Sequence, residues 1–199
     1  MSRILDLYAE IAREPHRFDG EIFIDEAYDE GLPKLTIVDL GAFRGEFGYY
    51  AYSVAKEIYA VEPDPIPFKI MKERVITYGL NKFKLFNIAI SDKKGVGFIN
   101  AGAGGGASLK YEETVDCKKV RMKTLAQFAK DNNIHHIDIL KIDVESSEYP
   151  IFTANDFPDV AYKIDVIVGE DHRGEGLKSI LEPYGFKYRN EKHCFVAKR

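Results

Sequence analysis

The segment Asp39–Gly48 places an acid just before closely spaced glycines, a pattern that could bind a small charged ligand. Gly41 and Gly45 let the backbone turn tightly and approach a ligand closely. Asp39 precedes this turn, where a carboxylate would repel a pyrophosphate but would attract a cation. The spacing Gly41-x-x-x-Gly45-x-x-Gly48 also differs from the GxGxxG pattern of nicotinamide-binding proteins. The segment therefore favours a cationic ligand over a dinucleotide.

A second acid, Glu62, ends the next apolar segment and is followed by Pro63. An acid roughly 20 residues after such a glycine turn accepts hydrogen bonds from the hydroxyls of a ribose. The third apolar segment contains Ala89 and Ile90, which we expect to lie beside an adenine ring. S-adenosylmethionine combines a ribose, an adenine and cationic amino and sulfonium groups, so we predict it as the cofactor. The predicted binding residues are Asp39, Gly41, Ala42, Gly45, Glu62, Pro63, Ala89, Ile90 and Asp143.

The residues best suited to catalysis follow the buried segments 137–144 and 164–169. Transfer of a methyl group is an in-line displacement, so the protein must align the acceptor and remove its proton. We assign His172 as the general base because its ordinary pKa lies near neutrality. Glu170 would orient His172 or bind the acceptor. Asp143 would lie where the methyl group and the acceptor meet.

Two further features allow two interpretations each. Glu145 and Glu148 either belong to the site or complement the positive start of the following helix. The segment 102–108 holds four glycines in seven residues. It is either the tip of a hairpin or a loop that closes over a bound substrate.

Strand and helix patterns alternate along the chain. Unbroken β-rich apolar runs indicate strands that are buried on both faces of a parallel sheet. Strands are predicted at 35–40, 58–62, 83–90, 96–99, 115–122, 137–144, 164–169, 186–189 and 193–197. Helices are predicted at 46–57, 64–79, 124–133, from about 147, and at 174–183. This order predicts an α/β fold with a mostly parallel, seven-stranded sheet and a C-terminal antiparallel hairpin.

The first residues form a separate element in this prediction. Apolar side chains at helical spacing in 3–14 predict an amphipathic helix. We expect 1–34 to form this helix and a lead-in segment. We expect 35–199 to form one domain, because neither a repeat nor a linker divides it.

The composition is that of a globular protein, with 45% hydrophobic and 30% charged residues. The net charge of −4 gives no general attraction to nucleic acid or to an anionic membrane. Cys117 and Cys194 do not form a CxxC motif, so they indicate neither a zinc site nor a redox site. We see neither a signal peptide nor a membrane-spanning run, and we expect a cytoplasmic protein.

Five segments together resemble the FkbM-type methyltransferases, namely 39–48, 60–64, 87–91, 105–109 and 140–148. The last of them, LKIDVESSE, is close to the LKIDVEG-x-E of that family and has Ser146 where a glycine is usual. The resemblance implies a Rossmann-like class I methyltransferase fold and methyl transfer from S-adenosylmethionine, usually to an oxygen. Acceptors in the family are diverse and include sugars and natural-product hydroxyls.

The main competing hypothesis for the predicted catalytic residues is that they bind a metal ion. Catechol-type O-methyltransferases hold magnesium with acids at the ends of the corresponding strands, and Asp143, Glu170 and Asp171 could imitate them. The segment LKIDVE does not match that family. We therefore predict that no metal binds.

The predicted function is O-methylation of a small-molecule or sugar hydroxyl, and the sequence leaves the acceptor and the oligomeric state open. An RNA methyltransferase is the first alternative. The acidic charge and the lack of a lysine-aspartate-lysine-glutamate set speak against it. A nicotinamide-binding oxidoreductase and a non-catalytic nucleotide-binding module are the others. Asp39 and the glycine spacing speak against a dinucleotide.

Overall fold

The computed structural model describes residues 34–102, 108–112, 117–172, 176–191 and 194–199. Its strands are β1 (Leu35–Leu40), β2 (Ala55–Val61), β3 (Phe83–Phe86), β4 (Ala89–Ile90), β5 (Gly95–Asn100), β6 (Leu109–Lys110), β7 (Cys117–Lys123), β8 (Ile137–Ile142), β9 (Ile164–Glu170), β10 (Lys187–Glu191) and β11 (Cys194–Lys198). Its helices are α1 (Glu46–Tyr50), α2 (Pro65–Tyr78), α3 (Leu125–Asp131), α4 (Glu148–Phe152), α5 (Pro158–Ala161) and α6 (Leu177–Leu181), with 3-10 turns at Ala51–Ser53 and Glu182–Tyr184. The predicted helix at 3–14 and most of the glycine-rich segment 102–108 lie outside the described residues.

A seven-stranded sheet forms the centre of the fold, in the order β10-β11-β9-β8-β1-β2-β3. β1 pairs in parallel with β2 on one side and with β8 on the other, and β3 and β9 extend the parallel part. β11 runs antiparallel to β9 and to β10. The predicted mostly parallel sheet with a terminal antiparallel hairpin is confirmed. The chain order reverses at β1, and ligands of such sheets bind at the carboxyl ends of the strands beside this point.

A second sheet of four strands, in the order β4-β7-β5-β6, was not predicted. β7 pairs antiparallel with β5 and parallel with β4. The prediction of one strand over 83–90 is therefore wrong, because the chain leaves the main sheet after Phe86 and joins β7 at Ala89. Both halves of the run are apolar, and Phe83, Ala89 and Ile90 are buried. The hydrophobic pattern alone could not reveal the break.

The first helix is shorter than predicted, whereas the second agrees closely. α1 ends at Tyr50 and β2 begins at Ala55, so the predicted helix at 46–57 is corrected. Ala55 pairs with Leu35 of β1, and this tertiary pairing overrides the local helical pattern. α2 begins after Asp64, whose side chain accepts a hydrogen bond from the N–H of Ile66 in the first turn of the helix. The helix ends before Gly79, which caps it with a φ of 65°.

Apolar side chains cover both faces of the main sheet. Ile37 belongs to the core cluster on one face, and Val38 and Leu40 belong to the cluster on the other. This alternation follows from the period of two along a strand. Since both faces are buried, the polar residues at the strand ends are the part of the sheet that can meet a ligand.

Two smaller expectations concern the cysteines and membrane segments. Neither Cys117 nor Cys194 takes part in a disulfide in the part of the chain that the structure describes. Among the helices in the described residues, none combines the length and the apolar character needed to cross a membrane.

Candidate functional site

Backbone hydrogen bonds tie the carboxyl ends of β1, β2 and β8 together. The N–H groups of Gly41 and Ala42 both donate to the Val61 carbonyl at 3.0 Å. The N–H of Asp143 donates to the Leu40 carbonyl at 3.0 Å. Gly41 has φ of +74°, and a Cβ there would lie 1.7 Å from the Asp143 carbonyl oxygen. Only glycine fits this crossing, so the glycine turn and the start of the Asp143 loop are held as one unit.

Gly45 ends the glycine turn and is the N-cap residue of α1. Its N–H donates to the Ala42 carbonyl at 2.7 Å, and its φ is +94°. A Cβ at this position would lie 2.7 Å from the ring of Tyr49. The second predicted glycine is therefore also required by the backbone and by the packing beneath it.

Glu62 bridges the glycine turn and the segment after β2. One carboxylate oxygen accepts the N–H of Phe43 at 2.8 Å and the other accepts the N–H of Asp64 at 2.7 Å. Burial raises the pKa of Glu62 from 4.5 to about 7, and the two backbone N–H groups oppose this rise. Each carboxylate oxygen has a further lone pair. The group can therefore accept two more hydrogen bonds, as the neighbouring hydroxyls of a ribose would donate.

Two polar side chains to which the sequence analysis gave no role fix the surroundings of Glu62. Asn87 donates through Nδ2 to the carbonyls of Glu62 at 2.8 Å and of Pro63 at 3.0 Å. Asp64 caps α2 with one oxygen and accepts the N–H of Gly102 at 2.6 Å with the other. The cap pattern before Pro65 could have identified Asp64, whereas the role of Asn87 depends on tertiary contacts.

Asp39 lies under the glycine turn and faces Lys141. The two residues are register partners on β1 and β8. Lys141 Nζ lies 3.3 Å from Asp39 Oδ1 and 3.8 Å from Asp143 Oδ2, and it donates to the Gly41 carbonyl at 2.7 Å. Burial alone would lower the pKa of Lys141, but the carboxylates of Asp39 and Asp143 outweigh it and raise the pKa. No role was predicted for Lys141 from the sequence, although a lysine inside a buried strand is an unusual feature that could have indicated one.

His172 lies among four carboxylates, which we call the acidic cluster: Asp143, Glu145, Glu148 and Glu170. Nδ1 of His172 lies 2.9 Å from Glu148 Oε1. Nε2 lies 3.4 Å from Glu170, 3.6 Å from Glu145 and 3.7 Å from Asp143, measured to the nearest carboxylate oxygen. The three predicted catalytic residues are thus brought together from the ends of β8 and β9.

The acidic cluster changes the protonation of His172. The hydrogen bond with Glu148, opposed by burial and reinforced by the other carboxylates, raises the pKa of His172 from 6.5 to about 9. His172 is therefore a cation at neutral pH, and the near-neutral pKa that motivated its assignment as a base does not hold here. Burial also raises the pKa of Glu145. The carboxylates of the acidic cluster therefore stabilise a positive charge, and the imidazolium of His172 carries that charge.

The turn between β8 and α4 carries Glu145 and Ser146 in left-handed backbone, with φ of 50° and 76°. This conformation disfavours side chains and suits glycine, which explains why a glycine is usual at Ser146 in the resembling family. Glu148 follows at the start of α4 and is fully buried. Its Oε1 accepts the N–H of Val144 at 3.3 Å as well as contacting His172. Glu148 therefore fits both interpretations: it is an acid at the start of a helix, and it contacts His172.

Asp143, Glu170 and His172 offer ligand atoms within 4.8 Å of one another, so they could hold a metal ion. Asp171, the third acid of the magnesium hypothesis, instead accepts a hydrogen bond from the Tyr149 hydroxyl at 3.2 Å. Two carboxylates and an imidazole are a donor set that suits several divalent metals. The absence of a metal stays a prediction.

Ala89 and Ile90 are each 4% exposed. Ile90 packs in the core cluster that contains Leu40, and Ala89 packs with Ile99 in the second sheet. Both side chains are directed into the protein. Their predicted contact with an adenine would therefore come from the backbone.

The family model that matches this chain is the Methyltransferase FkbM domain, over residues 39–188. The match includes the glycine turn, Glu62 and the acidic cluster. The chain belongs to the FkbM methyltransferase family, as the resemblance predicted.

One curated relative is AMB antimetabolite synthetase AmbE of Pseudomonas aeruginosa, which is 26% identical in an alignment that covers 84% of this chain. The chain spans only 10% of the length of AmbE. AmbE is therefore a much longer protein, of which a small part matches.

Solved structures show the same fold. Methyltransferase FkbM from Methylobacillus flagellatus KT superposes with a TM-score of 0.58 at 14% identity, covering 83% of this chain and 44% of that chain. Precorrin-6y C5,15-methyltransferase from Geobacter metallireducens GS-15 superposes with a TM-score of 0.57 at 12% identity, covering 96% and 95%. At these identities the likeness concerns the fold alone, and it confirms the predicted Rossmann-like class I methyltransferase fold.

Proposed function

We propose that this chain is an S-adenosylmethionine-dependent methyltransferase that methylates a hydroxyl of a small molecule or a sugar. Membership of the FkbM family supports methyl transfer. The cofactor assignment is carried by one observation, the buried Glu62 carboxylate at the end of β2. Its two oxygens are held by backbone N–H groups and keep lone pairs for two further donors.

The donor set around the glycine turn fits this cofactor. Glu62 would accept the two ribose hydroxyls, and Gly41 and Gly45 would let the backbone lie against the ligand. The Asp143 side chain is 26% exposed and would face the positive charge. When bound, S-adenosylmethionine would supply a methyl group on a cationic sulfur, which departs as a neutral thioether once an oxygen attacks the methyl carbon.

The acidic cluster would receive the acceptor. The hydroxyl oxygen must be held in line with the methyl carbon while its proton moves to a base. We keep His172 as that base and Glu170 as a group that binds the acceptor. Because the pKa of His172 is raised to about 9, only the deprotonated fraction can accept a proton. Turnover should therefore increase with pH towards 9.

The cofactor part of the proposal is tested by calorimetric titration with S-adenosylhomocysteine, with NADH as the control ligand. We expect S-adenosylhomocysteine to bind and NADH to give no heat. Binding of NADH alone would favour the oxidoreductase alternative. Binding of neither would overturn the assignment of Glu62 and of the glycine turn.

The acceptor part is tested by transfer of a labelled methyl group to a panel of hydroxylated small molecules and sugars. Parallel reactions contain magnesium or a chelator, and an activity that the chelator abolishes would revive the metal hypothesis. Labelling of RNA in place of the small molecules would favour the RNA alternative. Protein that binds S-adenosylhomocysteine but labels no acceptor of either class would fit the non-catalytic module.

A further inference from the structure

Three charged side chains alternate in sign beneath the glycine turn. Asp39 of β1 and Lys141 of β8 are register partners. Asp143 comes two positions after Lys141, just past the end of β8, and its carboxylate also lies beside the Lys141 ammonium. The ammonium of Lys141 lies between the two carboxylates, at 3.3 Å from Asp39 and 3.8 Å from Asp143. The cation beside Asp39 is therefore the ammonium of Lys141, a group of the protein itself and not of a ligand.

Burial separates the two carboxylates. The Asp39 side chain is 0% exposed, whereas the Asp143 side chain is 26% exposed. Lys141 itself is 4% exposed and is also fixed by its hydrogen bond to the Gly41 carbonyl. A ligand cation that took the place of this ammonium beside Asp39 would also break its hydrogen bond to the Gly41 carbonyl. A buried ion pair is strongly destabilised when one partner is lost.

We propose that Lys141 is the resident counter-ion of Asp39, and that Asp143 is the carboxylate that recognises the cationic amino-acid end of the cofactor. This assignment rests on the proposed function and replaces the expectation that Asp39 contacts the ligand. Lys141 is then a positioning residue, because it holds the glycine turn and lies beside Asp143 without reaching the ligand.

The remaining contacts of Asp143 agree with this role. Its Oδ1 lies 3.7 Å from His172 Nε2 and its Oδ2 lies 3.8 Å from Lys141 Nζ. Both distances exceed those of direct hydrogen bonds. The two cations hold the carboxylate by charge and leave its lone pairs for the donors of a ligand ammonium.

The test compares two ligands that differ only at the amino-acid end. S-adenosylhomocysteine carries the ammonium and carboxylate, and 5′-methylthioadenosine is the same nucleoside thioether without them. The ratio of their dissociation constants measures recognition of the amino-acid end, and a general loosening of the site would weaken both ligands alike. The variants are Asp143→Asn, the neutral pair Asp39→Asn with Lys141→Gln, and the exposed control Asp159→Asn.

We expect Asp143→Asn to lower the preference for S-adenosylhomocysteine by about tenfold, since it removes one charge-assisted interaction. The affinity for 5′-methylthioadenosine should stay within about twofold. The neutral pair should keep the preference within about threefold, like Asp159→Asn. A neutral pair that loses the preference tenfold while Asp143→Asn keeps it would assign recognition to Asp39 and overturn the proposal.

Thermal unfolding tests the counter-ion role separately. Lys141→Gln alone leaves Asp39 buried without its cation and should lower Tm by roughly 10 °C. Adding Asp39→Asn should restore most of this loss. If the second change lowers Tm further, Lys141 is not the counter-ion of Asp39. Failure of the wild-type chain to bind either nucleoside would instead contradict the proposed function.

Discussion

Glu62 and the acidic cluster around His172 lie at the same edge of the sheet but balance their charge in different ways. The Glu62 carboxylate is held by the backbone N–H groups of Phe43 and Asp64. His172 is held by side-chain carboxylates, with Glu148 as the direct partner at 2.9 Å. Backbone donors cannot gain or lose a proton, whereas every partner in the cluster can. The first region is therefore fixed in shape and suits binding, and the second suits proton transfer.

The two regions also differ in the charge that burial and contacts favour. The pKa of Glu62 is raised to about 7, which favours its neutral form, and that of His172 is raised to about 9, which favours its charged form. A ligand that donates hydrogen bonds to Glu62 would restore the negative charge there. Cofactor binding and catalysis should thus respond to pH through different residues.

Replacement of His172 should have the largest effect on turnover. We expect His172→Ala to lower kcat by about 100-fold or more, because a positioned base contributes about that much. The dissociation constant for S-adenosylhomocysteine should change by less than about threefold, since His172 belongs to the acceptor region. The two constants are measured by methyl transfer and by calorimetry. Full activity with an identified acceptor would show that His172 is not the base.

Replacement of Glu62 should act mainly on the binding of the cofactor. Glu62→Gln keeps the size of the side chain but loses the charge, and we expect S-adenosylhomocysteine to bind roughly 10 to 100 times more weakly. The control is Glu57→Gln on the same strand, where the acid contacts Tyr59 and Lys84 at the surface. Equal affinities for both variants and the wild type would remove Glu62 from the ribose site.

The pH dependence of stability should separate the regions further. Both groups have a raised pKa in the folded state, so each stabilises the fold at low pH and loses this contribution as pH increases. The loss falls between pH 4.5 and about 7 for Glu62, and between pH 6.5 and about 9 for His172. We expect each loss to be about 3 kcal/mol at most, with solvent screening reducing it for His172.

Urea unfolding at several pH values measures these windows. In Glu62→Gln, the free energy of unfolding should no longer fall between pH 4.5 and about 7 but should still fall between pH 6.5 and about 9. In His172→Gln, the fall at lower pH should remain and the fall at higher pH should disappear. A wild-type profile that is flat from pH 6.5 to 9 would mean that the carboxylates do not hold a proton on His172.

The smallest expected effect concerns the turn beside the acidic cluster. Ser146 has φ of 76°, and glycine relieves the strain of this conformation. Ser146→Gly should therefore stabilise the fold by about 1 kcal/mol, measured by urea unfolding. Ser53→Gly, in a 3-10 turn, is the matched control and should not be stabilising. A loss of stability in Ser146→Gly would show that the serine side chain contributes more than the backbone strain costs.

Local sequence patterns determined the elements that carry the site. The unbroken apolar run of β1 and the acid at Glu62 were visible because buried strands and their ends follow simple periodicities. The glycines Gly41 and Gly45 were visible because a tight turn needs them. The end of the first helix and the break after Phe86 were not visible, because strand pairing decided them.

The sequence by itself determined the family, the α/β fold and which acids gather at the carboxyl edge of the sheet. Only the tertiary structure decided what neutralises those acids. Lys141 pairs with Asp39, and Glu148 holds a proton on His172. A pKa depends on burial and on charges a few ångströms away. Residues far apart in the chain supply those charges, so a local pattern can mark a lysine in a buried strand but cannot show which acid it meets.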